Sequence, residues 1–170
     1  MTAEAGGIGV VFEVVSFESA LAIELIAELQ GEYVARYGQG DGTPLDAGEF
    51  NPPDGVFLVG YLREPPGSRQ PVACAGVRMS APGLAELKRM YVRPAARRRG
   101  IARRLLAAAE TEAARLGAQL LRLETGLRQP EAIALYESAG YTPTEPFGHY
   151  AGEALARHFA KRLTGDARRA

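Results

Sequence analysis

The sequence predicts an α+β domain, on three observations. Three apolar runs at residues 56–62, 72–79 and 84–92 follow one another with only turn residues between them, the order of antiparallel strands rather than of strand–helix–strand units. A helical pattern, a further strand run and a shorter helical pattern come after them, at 101–116, 120–125 and 130–139. The length of 170 residues suits one continuous core, so a single domain is expected.

Taken in order, residues 1–9 are small or charged and read as a disordered start, and the domain is expected to run from 10 to 164. Val10–Val15 is short and β-branched, a first strand. From Ser19 the period changes. Leu21, Ala22, Leu25, Ile26, Leu29 and Tyr33 recur at threes and fours with Glu24, Glu28 and Glu32 opposite, an amphipathic helix that Gly38 stops. Residues 38–54 are rich in Gly, Pro and Asp and lack periodicity, so they read as a long loop with one helical turn near 45–50. The runs at 56–62 and 72–79 form a hairpin around Glu64-Pro65-Pro66-Gly67-Ser68, and Ser80-Ala81-Pro82-Gly83 turns into the strand at 84–92.

In the long helix Ile101, Leu105, Ala109, Glu112 and Leu116 share a face that, Glu112 apart, is apolar and should lie on the sheet, with Gly117 as its C′ residue. Pro130 suits the first turn of the next helix, Gln129 is an indifferent cap, and Gly140 ends it. Leu155, Ala156, Phe159, Ala160 and Leu163 fit a helix by spacing alone. Residues 165–170 read as a disordered tail.

Lys and Arg together number 20, as do Asp and Glu, so net charge offers no reason to expect nucleic acid or a membrane surface as partner. A lone cysteine, Cys74, excludes an internal disulfide and fits a reducing cytoplasm; inside a strand it reads as a small buried hydrophobe. No signal-peptide pattern opens the chain and no apolar run is long enough to span a bilayer. His149 and His158, the only histidines, do not stand at metal-ligand spacing with cysteine or carboxylate, so no metal is expected.

One stretch resists this ordinary reading. Arg97, Arg98 and Arg99 precede the long helix, and Arg103 and Arg104 occupy its first turn. A helix start carries roughly half a positive charge, so each cation there costs about 0.3–1 kcal/mol unless an anion sits among them. Free backbone amides, guanidinium groups and Gly100, which has no side chain to obstruct a ligand, describe a phosphate seat. The plainer alternative is a solvated basic helix face.

Arg97-x-x-Gly100-x-Ala102 resembles the Arg/Gln-x-x-Gly-x-Gly/Ala signature of the GCN5-related N-acetyltransferases (GNATs). The order around it is similar too: strand Glu86-Leu87-Lys88-Arg89-Met90-Tyr91-Val92, Arg93-Pro94, turn, helix, strand, and a helix ending Leu135-Tyr136-Glu137-Ser138-Ala139-Gly140-Tyr141. The likeness implies a mostly antiparallel mixed sheet of six to seven strands flanked by about four helices, and a last strand rather than a helix in the tail. It implies acetyl-CoA as co-substrate, its diphosphate on the turn residues Arg97, Arg98, Arg99, Gly100, Ile101, Ala102 and Arg103, and its pantetheine beside Met90, Tyr91 and Val92 where the sheet splays. Gln129 stands where many members have Asn and is a further contact.

Transfer of an acyl group to an amine needs a deprotonated amine, a polarised carbonyl and a proton for the leaving thiolate. Backbone amides at Met90 or Val92 would polarise the carbonyl. A thiol of pKa about 8.5 can take a proton from a tyrosine of pKa about 10, and the likeness makes Tyr136 that acid; otherwise it is a core aromatic. The likeness also makes Glu86 the candidate base, since some members place a catalytic glutamate four residues before the position of Met90, and strand alternation, which puts Glu86, Lys88, Met90 and Val92 on one face, would let it point into the cleft. Lys88 would hold its pKa down, so a structural salt bridge, or a water as base, stands beside that reading.

The function expected is N-acetyltransfer to a primary amine, of a small molecule first, of a protein as alternative, by direct attack in a ternary complex. Asp41, Asp46, Glu49 and Asp54 could draw a cationic acceptor toward the long loop. A non-catalytic acyl-CoA sensor is the alternative of another class, and nucleic-acid binding through the arginines is disfavoured by the lack of interleaved aromatics. Oligomeric state, a homodimer included, stays open.

Overall fold

The computed structural model describes residues 9–64 and 67–163. Pro65-Pro66 and the expected disordered ends lie outside these, apart from Gly9, whose carbonyl accepts the Arg63 N–H and so extends the sheet ladder. Seven strands, β1 (Val10–Val15), β2 (Gly55–Glu64), β3 (Ser68–Ala81), β4 (Leu84–Val92), β5 (Leu120–Gly126), β6 (Thr142–Pro143) and β7 (Ala156–Arg162), form one sheet in the order β1-β2-β3-β4-β5-β7-β6. Every pairing is antiparallel except β4 with β5. The tail is therefore a strand, as the family likeness implied and helical spacing did not. Three α-helices are present among the described residues, α1 (Ala20–Tyr37), α2 (Ile101–Arg115) and α3 (Pro130–Ser138), with short 3-10 turns at Ala47–Phe50 and Pro94–Ala96 in place of a fourth.

The helix ends follow the sequence. Ser19 caps α1 by accepting from the Ala22 amide, and Gly38, at φ 79°, closes it in the left-handed conformation. α2 buries Ile101, Leu105, Leu106, Ala109 and Ala113 against one face of the sheet, at about 1.5–3 kcal/mol for each large aliphatic side chain. Glu112 keeps to the edge of that stripe, beside Arg115.

α1 covers the other face, with Ala22, Leu25 and Leu29 packed on Phe57, Val59, Cys74 and Tyr91. Its glutamates are not a solvated face. Glu24 and Glu28 take Arg93, Glu28 also accepts from the Tyr91 hydroxyl, and Glu32 takes Arg97. Three carboxylates one turn apart thus clamp the helix to the segment that follows β4.

Strand β4 departs from simple alternation. Arg89 has φ 54°, and the β3 register slips there: Lys88 faces Gly76 whereas Tyr91 faces Cys74. Two residues of β4, Arg89 and Met90, thus stand against one of β3, a β-bulge. Before it Ala85 and Leu87 point to the α2 side; after it Met90 and Val92 do, and Tyr91 turns to the α1 side. The expectation that Glu86, Lys88, Met90 and Val92 share a face is therefore corrected: the extra residue reverses the parity.

Candidate active site

β4 and β5 pair only at their first three positions, Leu84–Leu120, Ala85–Leu121 and Glu86–Arg122. Beyond them β5 stays with β7 along its whole length while β4 bends at the bulge, and the two parallel strands part. From Leu87 on, the β5-facing edge of β4 has no strand partner. A cavity of about 240 Å³ fills the gap. Leu87, Lys88, Arg89 and Met90 wall one side and Leu123, Glu124, Thr125 and Gly126 the other. Tyr33 and Tyr37 of α1, residues 39–41, Gln129 before α3, Ala132 and Tyr136 on it, and Tyr150, Glu153, Leu155 and Ala156 complete it.

The helix start behaves as its sequence suggests at the backbone and differently at the side chains. Gly100, at φ 74°, is the N-cap of α2 without any side-chain cap bond, and Arg98 is also left-handed at φ 57°. Among the described residues the amides of 98–103 have no acceptor within the protein, as the first turn of any helix leaves its donors free. Left-handed residues at such a turn gather backbone amides into an anion-binding concavity. Arg97 is committed elsewhere: its guanidinium holds the Val92 carbonyl (2.8 Å) and Glu32, and its amide bonds the Pro94 carbonyl. Its counter-ion is thus a protein carboxylate, and the cluster is less adverse than sequence alone suggested. Arg103 donates to Ser138 and Arg104 to the Val10 carbonyl, while Arg98 and Arg99 are exposed.

Tyr136, on α3, is 7% exposed and lines the cavity, its hydroxyl donating to Met90 Sδ at 3.7 Å. Tyr141 meets its ring edge-on, and burial raises its pKa, so the phenol keeps its proton across the neutral range. Met90 lines the cavity, whereas Tyr91 faces α1, its hydroxyl on Glu28 and its pKa pushed up to about 12 by burial and that carboxylate. Gln129 Oε1 accepts from Tyr37 at 3.5 Å.

Glu86 is 4% exposed and is bracketed by Arg78 (3.0 Å), Arg122 (2.7 Å) and Lys88 (3.6 Å). Burial pushes its carboxyl pKa up, but Arg122, Lys88 and Arg78 outweigh burial and leave it lowered. It is not among the residues lining the cavity. Such a carboxylate neutralises its neighbours and has little tendency to take a proton. The acidic loop is similarly engaged: Asp41 binds Arg89 and Thr43, Asp46 caps the 3-10 turn, and Glu49 holds Arg78 at 2.7 Å.

Three carboxylates do line the cavity, Asp41, Glu153 and Glu124; Asp41 is held by Arg89, and Glu124, on β5, is one that sequence reasoning missed. Lys88 Nζ donates to its Oε1 at 2.9 Å, and its Oε2 lies 3.5 Å from Nε2 of His158, across the β5–β7 pair. The strand alternates Leu121, Arg122, Leu123 and Glu124, which turns Glu124 away from the buried leucines without showing what it meets; the partner is 34 positions on. Cys74 is fully buried, and burial raises its thiol pKa, so it remains a protonated hydrophobe. No group of side chains suited to a metal ion occurs among the described residues, nor any helix long and apolar enough to cross a membrane.

Comparison with known proteins gives the family and the fold. Residues 22–141 match the acetyltransferase (GNAT) family. A curated relative, an IAA acetyltransferase of Azospirillum brasilense, is 36% identical over 142 residues, covering 83% of this chain and 90% of its own length. A crystal structure from Klebsiella pneumoniae subsp. pneumoniae, named as an acyl-CoA N-acyltransferase, superposes at TM-score 0.76 with 31% identity, over 91% of this chain and 98% of that one. A GNAT family acetyltransferase of Elizabethkingia anophelis, solved with acetyl-CoA bound, shares the fold at TM-score 0.62 and 14% identity, over 91% and 98% of the two chains.

Proposed function

The chain belongs to the GNAT acetyltransferase family, and on that premise we propose that it moves the acetyl group of acetyl-CoA to the primary amine of a small molecule, by direct attack in a ternary complex. The observation that carries this is the parting of β4 from β5, with unpaired backbone on one side and the free amides of 98–103 nearby. These residues fit the co-substrate: the amides of the turn, with Arg98, Arg99 and Arg103 around them, would hold its diphosphate. The open edge at Met90–Val92 would take the pantetheine as an extra strand takes its neighbour. Bound there, acetyl-CoA supplies an activated thioester carbonyl.

The protein's part is positioning and proton management. Backbone amides at Met90 or Val92 polarise the carbonyl. Tyr136, kept protonated by burial, stands beside Met90 as the acid for the leaving thiolate. Its raised pKa makes the transfer uphill in isolation, and the thiolate's own burial offsets this. Gln129 supports the wall next to Tyr37.

A small acceptor is favoured over a protein tail by the roof. The Tyr150 hydroxyl accepts the Gly42 amide at 2.7 Å, joining the loop after α1 to the loop before β7 over the cavity. The name of the Azospirillum relative points the same way. A cytoplasmic setting belongs to the same reading, in keeping with a lone buried thiol. Calorimetric titration with acetyl-CoA, followed by a cofactor-release screen of amines, tests the proposal. Heat of binding and release of free CoA with some small amine are expected; no heat on adding acetyl-CoA refutes it.

A further inference from the structure

Resting on the transfer reading, we propose that Glu124 and His158 form the proton-accepting pair of the acceptor site, the function that Glu86 is too tightly bound to serve. Glu124 lines the cavity, and its side chain is 10% exposed, that of His158 5%. Glu124 Oε2 and His158 Nε2 face each other at 3.5 Å, and among the described residues neither atom has a hydrogen-bond partner. Buried polar atoms without partners are uncommon and costly.

The roof gives them no relief. Phe147 packs edge-on against the His158 ring at 5.1 Å between centroids, and the Arg122 guanidinium lies over the Phe147 ring at 3.9 Å. Gly148 passes so close that a Cβ there would lie 3.7 Å from Oε2. The two atoms stand just beyond hydrogen-bond contact, and a small approach would let an N–H at His158 Nε2, in the neutral or the protonated ring, donate to the carboxylate and satisfy both. The charged groups around the pair are Lys88 on Glu124 Oε1, Glu86 behind Lys88, Arg89 with its partner Asp41, Glu153 on the cavity wall, and Arg122 at Phe147.

An amine acceptor enters as an ammonium ion and must lose a proton before it can attack. In the proposed step one N–H bond of the ammonium breaks, its electron pair stays on nitrogen, and the proton passes through the Glu124 carboxylate to His158 Nε2. The products are a free amine in the cavity and a Glu124–imidazolium pair. After transfer the amide nitrogen's remaining excess proton goes to the thiolate by way of Tyr136, and the proton on His158 leaves to solvent before the next turnover.

The test is the pH profile of kcat/KM for the best amine of the screen, in the wild type, His158→Asn and Glu124→Gln. Both variants should lose about 10²- to 10⁴-fold at neutral pH, and the deficit should close as pH approaches the amine's own pKa, where solution supplies free amine. KM for acetyl-CoA should not move. A deficit independent of pH, or one below threefold, overturns the assignment. A second measurement needs no turnover: the ring nitrogen and N–H resonances of His158 are observed by NMR, with His149 identified through His149→Asn. Those of Nε2 should move in Glu124→Gln, because the ring loses its carboxylate neighbour; unchanged resonances also overturn the pairing. Absence of acetyl-CoA binding would sink the transfer reading instead, and the NMR result would still decide the pair.

Discussion

Gly100→Ala, set against Gly117→Ala, separates the fold of α2 from the use of its N-terminus. Both glycines are left-handed, at φ 74° and φ 93°, and a Cβ on either meets nothing within 4 Å. They flank opposite ends of one helix. Each substitution therefore imposes the same left-handed strain on an L-residue, roughly 1–2 kcal/mol, with no steric clash added. For a domain of this size that corresponds to a fall in Tm of about 2–8 °C, which differential scanning fluorimetry of the free protein would read in both variants. Only residue 100 lies within the run of unpaired amides at 98–103, where a methyl would crowd a ligand held on them. Losing one hydrogen bond to a charged group costs about 1.5–3 kcal/mol, or roughly ten- to hundred-fold in Kd. Calorimetry with acetyl-CoA should show that loss in Gly100→Ala and none in Gly117→Ala. Equal affinity in the two variants would refute the phosphate seat, whatever their stabilities.

Tyr136→Phe should lower kcat by about 10²- to 10⁴-fold while leaving acetyl-CoA affinity in place; steady-state rates with calorimetry check both, and an unchanged kcat removes the tyrosine as acid. Glu86→Ala leaves Arg78, Arg122 and Lys88 without their shared carboxylate, at a cost of about 3–5 kcal/mol in urea unfolding; a loss below 1 kcal/mol would contradict its structural role. Because the folded-state pKa of Glu86 is lowered from 4.5, its stabilisation is present above that value and lost as pH falls through the folded one. Wild-type melts should therefore be level from neutrality toward pH 5 and drop steeply below, and Glu86→Gln should drop less. Gly55→Ala should cost on the order of 4 kcal/mol or more, since its Cβ would come within 2.0 Å of the Glu49 carbonyl oxygen and 2.4 Å of that of Val77; circular dichroism and solubility would register it.

Much of this was legible in the chain because local rules govern it. Ser19 and Gly38 bound α1, Pro130 and Gly140 bound α3, and Gly117 ends α2, each through its own backbone chemistry. The turn at Arg97–Ala102 announced itself by placing cations where a helix repels them. The bulge in β4 left a trace too: polar and apolar residues alternate through Glu86, Leu87 and Lys88, then two charges stand side by side at Lys88-Arg89 before Met90. That slip of one marks the extra residue, and overlooking it put Met90 on the wrong face. The pairing of Glu124 with His158 had no such trace, because it depends on which strand β5 chooses as neighbour, a matter of tertiary packing. The glutamates of α1 misled for the same reason. Helical spacing shows that they share a face and cannot show that arginines from another segment meet it.

That glutamate row also limits how the molecule can be rebuilt. Exchanging the first helix and the loop after it for those of a relative, the natural way to graft a new acceptor preference, would separate Glu24, Glu28 and Glu32 from Arg93 and Arg97. The two arginines would then be stranded at the start of α2 without these counter-charges. A working chimera has to carry both sides of the clasp together.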